Sequence, residues 1–428
     1  MKRVLIITYY WPPAGGPGVQ RVLKFAKYLP GYGWEPLILT VKDGEYPARD
    51  VSLLDEVPQN LPLFRTRTRE PFTLYKKWTG KSGEAIPVAV LAQKKPGLRN
   101  ALAAYVRMNL FIPDAKKGWI PFALREGSRI IEQYRPELIF SSSPPPTVHL
   151  IAKKLSARSG IPWIADLRDP WSNIHYYKDR RSACAQRLDA RLERRTLGKA
   201  AKITTVSRHF ASLILSDPAD THIIPNGFDE HDFAFPYAAP SGNAVFTIAY
   251  IGGLNENRFY PEFFHDLGDF ITEQGIRREE IRLILAGQIQ ENLRKRIAAQ
   301  LDKILTLDCR GYLHHADAVS LMCTSGLLLL FMEKVSDYKG HIPGKLFEYL
   351  RSGKYILGLG EPDGEVSRIL NEESAGKVLA PGAGSKAILK ELYLQWKAKE
   401  LRGADRGGII KYSREKLTQI LSEVFNSV

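Results

Sequence analysis

The chain has 428 residues and a formal net charge of +15, with 44% hydrophobic and 25% charged residues. Its length exceeds what one hydrophobic core usually serves, so two domains are expected, and the composition is that of an ordinary globular protein. The three cysteines, Cys184, Cys309 and Cys323, are scattered, which excludes a disulfide framework and a cysteine-based zinc site and favours a reducing cytoplasm.

The charge is divided unevenly along the chain. Residues 1–240 carry 36 Lys and Arg against 22 Asp and Glu, a net charge of +14, and the remainder is nearly neutral. Such asymmetry predicts attraction to an anionic surface, either lipid headgroups or nucleic acid. Nucleic acid is the weaker interpretation because no recognisable binding module accompanies the basic residues. A solvated basic face without a partner is the remaining alternative.

No membrane-spanning or targeting segment is expected. Pro12 and Pro13 end the first apolar run, and Leu327–Met332, the longest later run, is far shorter than the ~20 residues of a spanning helix. We therefore predict a cytoplasmic protein that lies peripherally on the inner face of the plasma membrane. Three clusters are expected to face the lipid headgroups: Lys76-Lys77-Trp78, Lys94-Lys95 with Arg99, and Lys116-Lys117-Trp119.

The N-terminal half begins with a βαβ pattern. VLIIT predicts a buried strand, Ala14–Gly18 a glycine loop, residues 19–32 a helix, and PLILTV a second strand, which together indicate a parallel, doubly wound sheet. Residues 42–125 are irregular, basic and aromatic, and we interpret them as an insertion with short helices. Strand-to-loop patterns resume in ELIFSSSPPP, PWIADLRDPW, AKITTVS and THIIPNGFD.

A second βα pattern follows a Pro- and Gly-containing linker at residues 235–244. FTIAYIGGL, RLILAGQ, LTLDCRGYL, GLLLLFM and YILGLG predict short buried strands separated by helix-length segments. We predict Rossmann-like domains at 1–238 and 239–396, with a helical segment at 397–428 that packs back on the first. The fold class is α/β, with the two domains facing each other across a cleft that binds ligand.

Three short patterns carry candidate chemistry. Glycine loops follow the first strand of each domain, at Gly15-Gly16 and at Gly252-Gly253, where backbone can approach a phosphate. Arg258, shortly after the second loop, could hold a diphosphate by charge-assisted bonds. In HIPGKLFEYLRSGK, Lys345 and Glu348 share one face at the start of a helix, where lysine neutralises phosphate and carboxylate accepts from ribose hydroxyls. A surface ion pair is the structural alternative.

The residues resemble the GT-B glycosyltransferases of retaining family four. The resemblance is carried by PPAGGPGVQRV, IPNGFD, YIGGL and IPGKLFEYLRSGK in this order, and it spans nearly the whole chain, with residues 42–125 matching least well. SSSPPPTVHL and WIADLRDPW are similar to a subgroup of bacterial surface-polysaccharide enzymes. The resemblance implies a hexosyltransferase that moves a sugar, with retained configuration, from a nucleotide-sugar to a lipid-linked or glycan acceptor, with a UDP-sugar the expected donor.

The resemblance also implies roles for individual residues. The donor would be bound by the following residues: Gly15, Gly16, Gly253, Gly287, Tyr312, Lys345, Leu346 and Glu348. Catalytic roles fall on Asp169, Lys345 and Arg258, with Asp166 as a second carboxylate candidate. No carboxylate or His/Cys cluster suggests a metal, so a metal-independent reaction without a cofactor is expected.

Two positions depart from the family pattern. Gly340 stands where the family has the first glutamate of a pair, and Arg168 and Asp169 occupy a region where many members have a histidine. His149, on a helix face, is interpreted as a packing residue. A non-catalytic scaffold that binds nucleotide and membrane, and an NDP-sugar 2-epimerase, remain alternatives to the transferase.

Overall fold

The structure is a computed structural model, and it describes residues 1–46, 48–69, 105–106, 108–174, 180–215, 221–234, 245–334 and 339–428. The chain forms two compact units. The first consists of Met1–Pro225 and Arg414–Val428, and the second of Asn226–Ser413.

The first unit is built on a seven-stranded parallel sheet with the order β3-β2-β1-β4-β5-β6-β7. Its strands are β1 (Lys2–Thr8), β2 (Trp34–Val41), β3 (Leu63–Thr66), β4 (Leu138–Ser143), β5 (Trp163–Leu167), β6 (Lys202–Thr205) and β7 (Thr221–Ile223). Its helices are α1 (Pro17–Tyr28), α2 (Ile120–Tyr134), α3 (Thr147–Ser159), α4 (Ala183–Leu197), α5 (Arg208–Leu213) and, from the end of the chain, α13 (Arg414–Asn426). The strand order reverses beside β1, so the carboxyl ends of β1 and β4 flank a switch point where ligands bind in such sheets.

The second unit contains a six-stranded parallel sheet with the order β10-β9-β8-β11-β12-β13. Its strands are β8 (Phe246–Ile251), β9 (Ile281–Ala286), β10 (Thr306–Gly311), β11 (Leu327–Phe331), β12 (Tyr355–Leu359) and β13 (Gly376–Leu379). Its helices are α6 (Pro261–Glu273), α7 (Glu291–Leu301), α8 (His315–Thr324), α9 (Lys345–Ser352), α10 (Glu365–Glu372), α11 (Lys386–Lys397) and α12 (Arg406–Ile409). The predicted α/β class with two doubly wound parallel sheets is confirmed.

The last helix belongs to the first unit because of its apolar face. Leu417, Leu421 and Phe425 of α13 are buried in the core that α1 shares with the first sheet. The Phe425 ring lies edge-on to Trp34 and to Phe140, at 5.4 and 5.3 Å between ring centroids. Such aromatic contacts add to the hydrophobic gain of covering α1.

Several predicted boundaries differ from those of the structure. The units divide after Pro225 rather than 238, because Phe228 and Phe233 pack in the core of the second unit, and residues 397–413 also belong to that unit. Part of the expected insertion at 42–125 is sheet, since β3 pairs in parallel with β2. The predicted linker at 235–244 and residues 70–104 of the expected insertion lie outside the described residues. Over the described ranges, no helix is both long and apolar enough to span a bilayer.

Candidate functional site

The carboxyl ends of β8 and β9 meet at two glycines. A side chain at Gly287, whose φ is 127°, would collide with the backbone carbonyl of Gly252. The Gly252 amide donates to the carbonyl oxygen of Ala286 at 2.7 Å, which closes this approach. Only glycine permits both the positive φ and the contact. The loops after β8 and β9 therefore meet in a surface of bare backbone, beside the predicted Gly253, which we call the glycine floor.

Lys345 lies over this floor. It begins α9, and its Nζ donates to the Ile251 carbonyl oxygen at 2.8 Å and lies 4.1 Å from the centroid of the Tyr250 ring. Burial, helped by the nearby charge of Arg258 and opposed by Glu348, lowers the pKa of Lys345 to about 7. An ammonium group so placed would gain a strong partner if an anion occupied the mouth of β8.

Glu348 lies one turn further along α9 and faces the start of another helix. Its Oε1 is 3.2 Å from Nε2 of His315, the first residue of α8. The Glu348 side chain is 18% exposed, so it stays open to solvent while its neighbours on α9 are buried. Lys345 and Glu348 therefore present one cation and one carboxylate side by side, as their spacing predicted.

Arg258 completes the charged rim but is already paired. Its Nη2 donates to Glu333 Oε1, after the end of β11, at 2.7 Å. The pair is partly exposed, and the charge of Arg258 contributes to the lowered pKa of Lys345. A diphosphate ligand that contacts Arg258 would therefore contact a guanidinium already paired with the Glu333 carboxylate.

Two other predicted donor residues have different surroundings. Tyr312, after β10, is 76% exposed and open to a ligand. Leu346 is fully buried in the core of the second unit, and its amide is bonded to the Pro343 carbonyl oxygen. On α9 this position faces inward while Lys345 and Glu348 face outward, so the Leu346 side chain packs in the core and its role in donor binding stays a prediction.

In the first unit the glycine loop precedes α1 as predicted. Gly16 adopts φ 103° and ψ 165°, a conformation that glycine alone adopts readily, at the N-cap of α1. The Gly15 amide donates to the Ala48 carbonyl oxygen at 3.0 Å, and Asp50 donates its amide to Pro13 at 2.9 Å. The loop is thus held by a neighbouring backbone segment rather than left free.

Asp166 has a structural role instead of the catalytic one considered for it. It is fully buried, and Nη2 and Nε of Arg21 bond its two carboxylate oxygens at 2.8 and 3.1 Å. The hydroxyls of Ser142 and Thr204 donate to the same carboxylate at 2.6 and 2.7 Å. Burial alone would raise the pKa of Asp166, but Arg21 and these hydroxyls outweigh it and lower the pKa. The network ties α1 to β4, β5 and β6.

Asp169, the other carboxylate candidate, is half-buried beyond the end of β5 and beside Arg168. The loop that carries it is fixed further on, where Trp171 Nε1 donates to Asp189 Oδ1 at 2.9 Å and the Ser172 amide donates to Glu193 at 3.0 Å. Arg168, which the sequence reasoning mentioned only as a departure, proves to be 8% exposed and to lie against Gly18 of α1. In the sequence, only the position of Arg168 next to the candidate Asp169 indicated that this arginine could matter.

His149 is a packing residue, as interpreted. Its ring is fully buried, stacks on Trp171 at 5.9 Å, and places Nδ1 at 2.8 Å from Ser141 Oγ. Burial, partly offset by Asp166 and reinforced by Arg168, lowers the pKa of His149 to about 3. The folded protein therefore keeps this imidazole neutral throughout the mildly acidic range.

We expect acid to destabilise the protein partly through His149. In unfolded chain the imidazole takes up a proton near its ordinary pKa of 6.5, whereas the folded chain does so only near 3. Stability should fall by about 1.4 kcal/mol per pH unit below 6.5, or about 2 kcal/mol by pH 5. Urea unfolding of the parent and of His149→Gln from pH 7 to 5 measures the difference in slope. Parallel curves would contradict the assignment.

The predicted membrane-facing clusters are only partly accessible. Trp119 is fully buried, with its Nε1 donating to Thr66 Oγ1 at 2.7 Å, and Lys116 lies 5.1 Å from the centroid of the Tyr9 ring. Lys117 alone of the third cluster is exposed. The proposed role of Trp119 beside lipid is therefore wrong. The other two clusters, Lys76-Lys77-Trp78 and Lys94-Lys95 with Arg99, lie outside the described residues.

In the part of the chain that the structure describes, no group of three or more His, Cys, Asp and Glu side chains could hold a metal ion. The charged groups at the end of the second sheet, Lys345, Glu348, Arg258 and His315, are instead typical of a site for a phosphorylated ligand.

Comparisons with known proteins agree with this architecture. Residues 83–232 match the family described as Glycosyltransferase Family 4. Anabaena HepE in complex with UDP and glucose superposes with a TM-score of 0.62 at 14% identity, covering 100% of both chains. Sucrose-phosphate synthase from Thermosynechococcus elongatus gives 0.61 at 13% identity, covering 100% of this chain and 99% of that one.

The lipopolysaccharide outer core galactosyltransferase WaaB gives a TM-score of 0.59 at 11% identity, covering 99% of both chains. No curated protein sequence matches significantly. The fold is therefore that of the two-domain GT-B proteins, and residues 83–232 are similar to Glycosyltransferase Family 4.

Proposed function

We propose that the protein is a glycosyltransferase that takes a sugar from a UDP-sugar and transfers it, with retained configuration, to a lipid-linked or polysaccharide acceptor of a bacterial surface. The observation that carries the proposal is the position of Lys345 over the glycine floor of β8 and β9, with Glu348 one turn further along the same face of α9. The Family 4 match and the UDP bound to the HepE structure support the choice of donor.

Each group at this site has a chemical task in the proposed reaction. Glu348 accepts from the ribose hydroxyls, and Tyr312 offers an exposed ring near the base. Lys345 and Arg258 neutralise the charge that develops on the departing diphosphate, which is the main demand of such a transfer. Two cations and a helix terminus meet that demand without a divalent ion.

Three groups of the first unit suit contacts with the acceptor and with the donor sugar. Asp169 is the candidate to contact the acceptor or the reacting hydroxyl, and Gly15 and Gly16 give backbone that can approach the sugar. These assignments rest on the resemblance and on the local geometry of the loop.

A product assay tests the proposal. We expect UDP-sugars incubated with acceptor-bearing membranes to release UDP and yield a glycosylated lipid or polymer, at an unchanged rate after dialysis against EDTA. Glu348→Ala should weaken UDP binding by roughly 10- to 100-fold, since hydrogen bonds to charged groups contribute about 1.5–3 kcal/mol. Glu273→Ala, an exposed carboxylate paired with Lys386, is the matched control and should have no effect.

Other outcomes of the same assay would overturn the proposal. Conversion of the donor to its C2 epimer without acceptor would identify an epimerase, and tight UDP binding without any product would identify a scaffold, to which Gly340 in place of a glutamate lends some support. Activity lost with EDTA and restored by magnesium or manganese would contradict the metal-independent reaction.

We also propose that the protein acts peripherally on the cytoplasmic face of the plasma membrane, since its excess positive charge lies in residues 1–240. Each lysine or arginine near an anionic bilayer contributes about 1 kcal/mol, and salt screens the attraction. Cosedimentation should require anionic lipid and fall at 1 M salt.

Neutralising Lys76, Lys77, Lys94, Lys95, Arg99 and Lys117 should reduce this vesicle binding. Neutralising Lys295, Lys303 and Lys390 of the second unit is the control and should not. Equal binding to neutral vesicles would refute the membrane role.

A further inference from the structure

The outer face of α4 carries only basic charge. Successive turns of this helix place four arginines on one exposed stripe: Arg187, Arg191, Arg194 and Arg195. The two acidic residues of α4 point into the core instead. Asp189 is buried and pairs with Arg181, and Glu193 is buried and accepts from the amides of Ser172 and Leu215 at 3.0 and 3.2 Å. Neither carboxylate is therefore available to neutralise the arginines outside.

The basic stripe continues onto the neighbouring helix α3. Lys153 Nζ of α3 donates to the carbonyl oxygen of Arg195 at 2.8 Å, which joins the two helices. Burial, together with the positive charges of Lys199, Arg195 and Lys154, lowers the pKa of Lys153. An anionic partner would relieve this repulsion. We call the resulting surface the basic face, and it consists of Lys153, Lys154, Arg187, Arg191, Arg194, Arg195 and Lys199.

The surroundings of the basic face hold no exposed acid that offsets it. In the described residues 138–174 and 180–215, nine basic side chains are exposed, whereas all acidic side chains are buried or half-buried. Helix α7 of the second unit differs, since Arg294 and Lys295 there lie 2.6 and 3.9 Å from Glu291. A helix that only faces water commonly pairs its charges in this way. The unpaired charge of α4 therefore favours a partner over a solvated surface.

Exposed apolar side chains accompany these cations. Leu188 lies on the stripe of α4 and is 55% exposed. Leu110 and Tyr105, 67% and 58% exposed, belong to the segment that meets the start of α4, where Asn109 Oδ1 accepts from the Ser182 amide at 2.7 Å. Apolar side chains gain nothing from the phosphates of a nucleic acid, but they insert between lipid headgroups while neighbouring arginines stay at the charged surface.

We propose that the basic face docks the protein on an anionic lipid bilayer. The inference rests on the proposed peripheral location, and it assigns the contact to the outer sides of α3 and α4. Charge complementarity carries it, because each cation near an anionic bilayer strengthens binding about fivefold. Leu188 adds an apolar anchor that salt does not screen.

Cosedimentation of the full chain with vesicles of phosphatidylglycerol and phosphatidylcholine in equal parts tests the surface. A variant with glutamine at four positions (Arg187, Arg191, Arg194 and Arg195) should bind these vesicles roughly 25- to 600-fold more weakly, if two to four of the arginines contact lipid. Glutamine retains the helix, so the variant should fold and bind UDP like the parent. The control replaces four exposed cations of the second unit by glutamine and should bind vesicles normally: Arg294, Lys295, Arg296 and Lys303.

Two further variants identify the kind of partner. Lysine at the four arginine positions should preserve vesicle binding, because a bilayer requires charge rather than a guanidinium fork. Leu188→Asn should weaken the part of the binding that persists at 1 M salt. Parent-like vesicle binding by the glutamine variant would overturn the inference, as would tighter binding of the parent to duplex RNA than to vesicles. Absence of UDP binding or sugar transfer in the parent, with vesicle binding that depends on these arginines, would overturn the proposed transferase and support the docking surface.

Discussion

Replacing Arg21 with methionine should lower the free energy of unfolding by about 3–5 kcal/mol, a large part of the stability of a domain. Arg21 and Asp166 are fully buried, and two bonds of 2.8 and 3.1 Å join them. Methionine fills similar volume but leaves the carboxylate without a counter-ion. The hydroxyls of Ser142 and Thr204 stabilise the carboxylate only in part.

Chemical unfolding at neutral pH measures this effect, with Arg3→Met as the matched control. Arg3 pairs with Glu35 at 2.8 Å on the surface, where such pairs contribute about 0–1 kcal/mol. The double variant Arg21→Met with Asp166→Leu should recover much of the loss, because no buried charge remains. A single variant as stable as the parent would show that the carboxylate is protonated or hydrated in its place.

The same pair sets a pH dependence with a definite sign. The pKa of Asp166 is lowered in the folded protein, so its contribution is present above the ordinary carboxyl pKa and is lost as pH falls below it. His149 destabilises the protein in the same acidic direction, by remaining neutral where the unfolded chain is charged. The first unit is therefore expected to lose stability in acid because of two buried groups, Asp166 and His149.

The sequence predicted the sheets well because their strands are buried on both faces. Runs such as Leu327–Phe331 and Phe246–Ile251 are nearly continuous apolar segments, which parallel strands require. β3 was missed because Leu63–Thr66 is short, contains an arginine and lies at the sheet edge with partly exposed residues. Pairing with β2, rather than local pattern, makes this segment a strand.

The candidate site was predictable only where it is local. Lys345 and Glu348 share a face because helical spacing demands it, and the glycines after β8 and β9 are visible as turns. The pairing of Arg168 with Gly18 joins distant parts of the chain, and no spacing rule reveals it. For Asp166, the sequence showed a carboxylate in an apolar strand but not that Arg21 would neutralise it.

The two units differ in the charged groups that they carry. The second unit has Lys345 and Arg258 at the ends of its strands, with a carboxylate for hydroxyl groups beside them. The first unit has one fixed guanidinium at a helix terminus. Because Lys345 titrates near neutral pH, the proposed donor site should respond to pH.

UDP affinity should therefore fall as pH rises above 7, by up to tenfold per pH unit. Lys345 has a pKa of about 7 in the unliganded protein, and a bound diphosphate raises it. Binding between these two pKa values takes up one proton, so alkaline conditions oppose it. The phosphates of UDP are essentially fully ionised in this range, since a terminal phosphate titrates near pH 6. Because Lys345 is half protonated at pH 7 and about 1% protonated at pH 9, the loss over this range should reach at most about 50-fold.

Lys345→Met supplies the control for this pH dependence. The variant should bind UDP roughly 10- to 100-fold more weakly at pH 7, since charge-assisted bonds contribute about 1.5–3 kcal/mol, and its affinity should be flat from pH 7 to 9. Calorimetry of the parent in two buffers of different ionisation enthalpy should show uptake of up to one proton near pH 8, and none in the variant. Equal slopes in the two proteins would mean that Lys345 does not carry the proton, and that its ammonium group is held by Ile251 and Tyr250 for structural reasons alone.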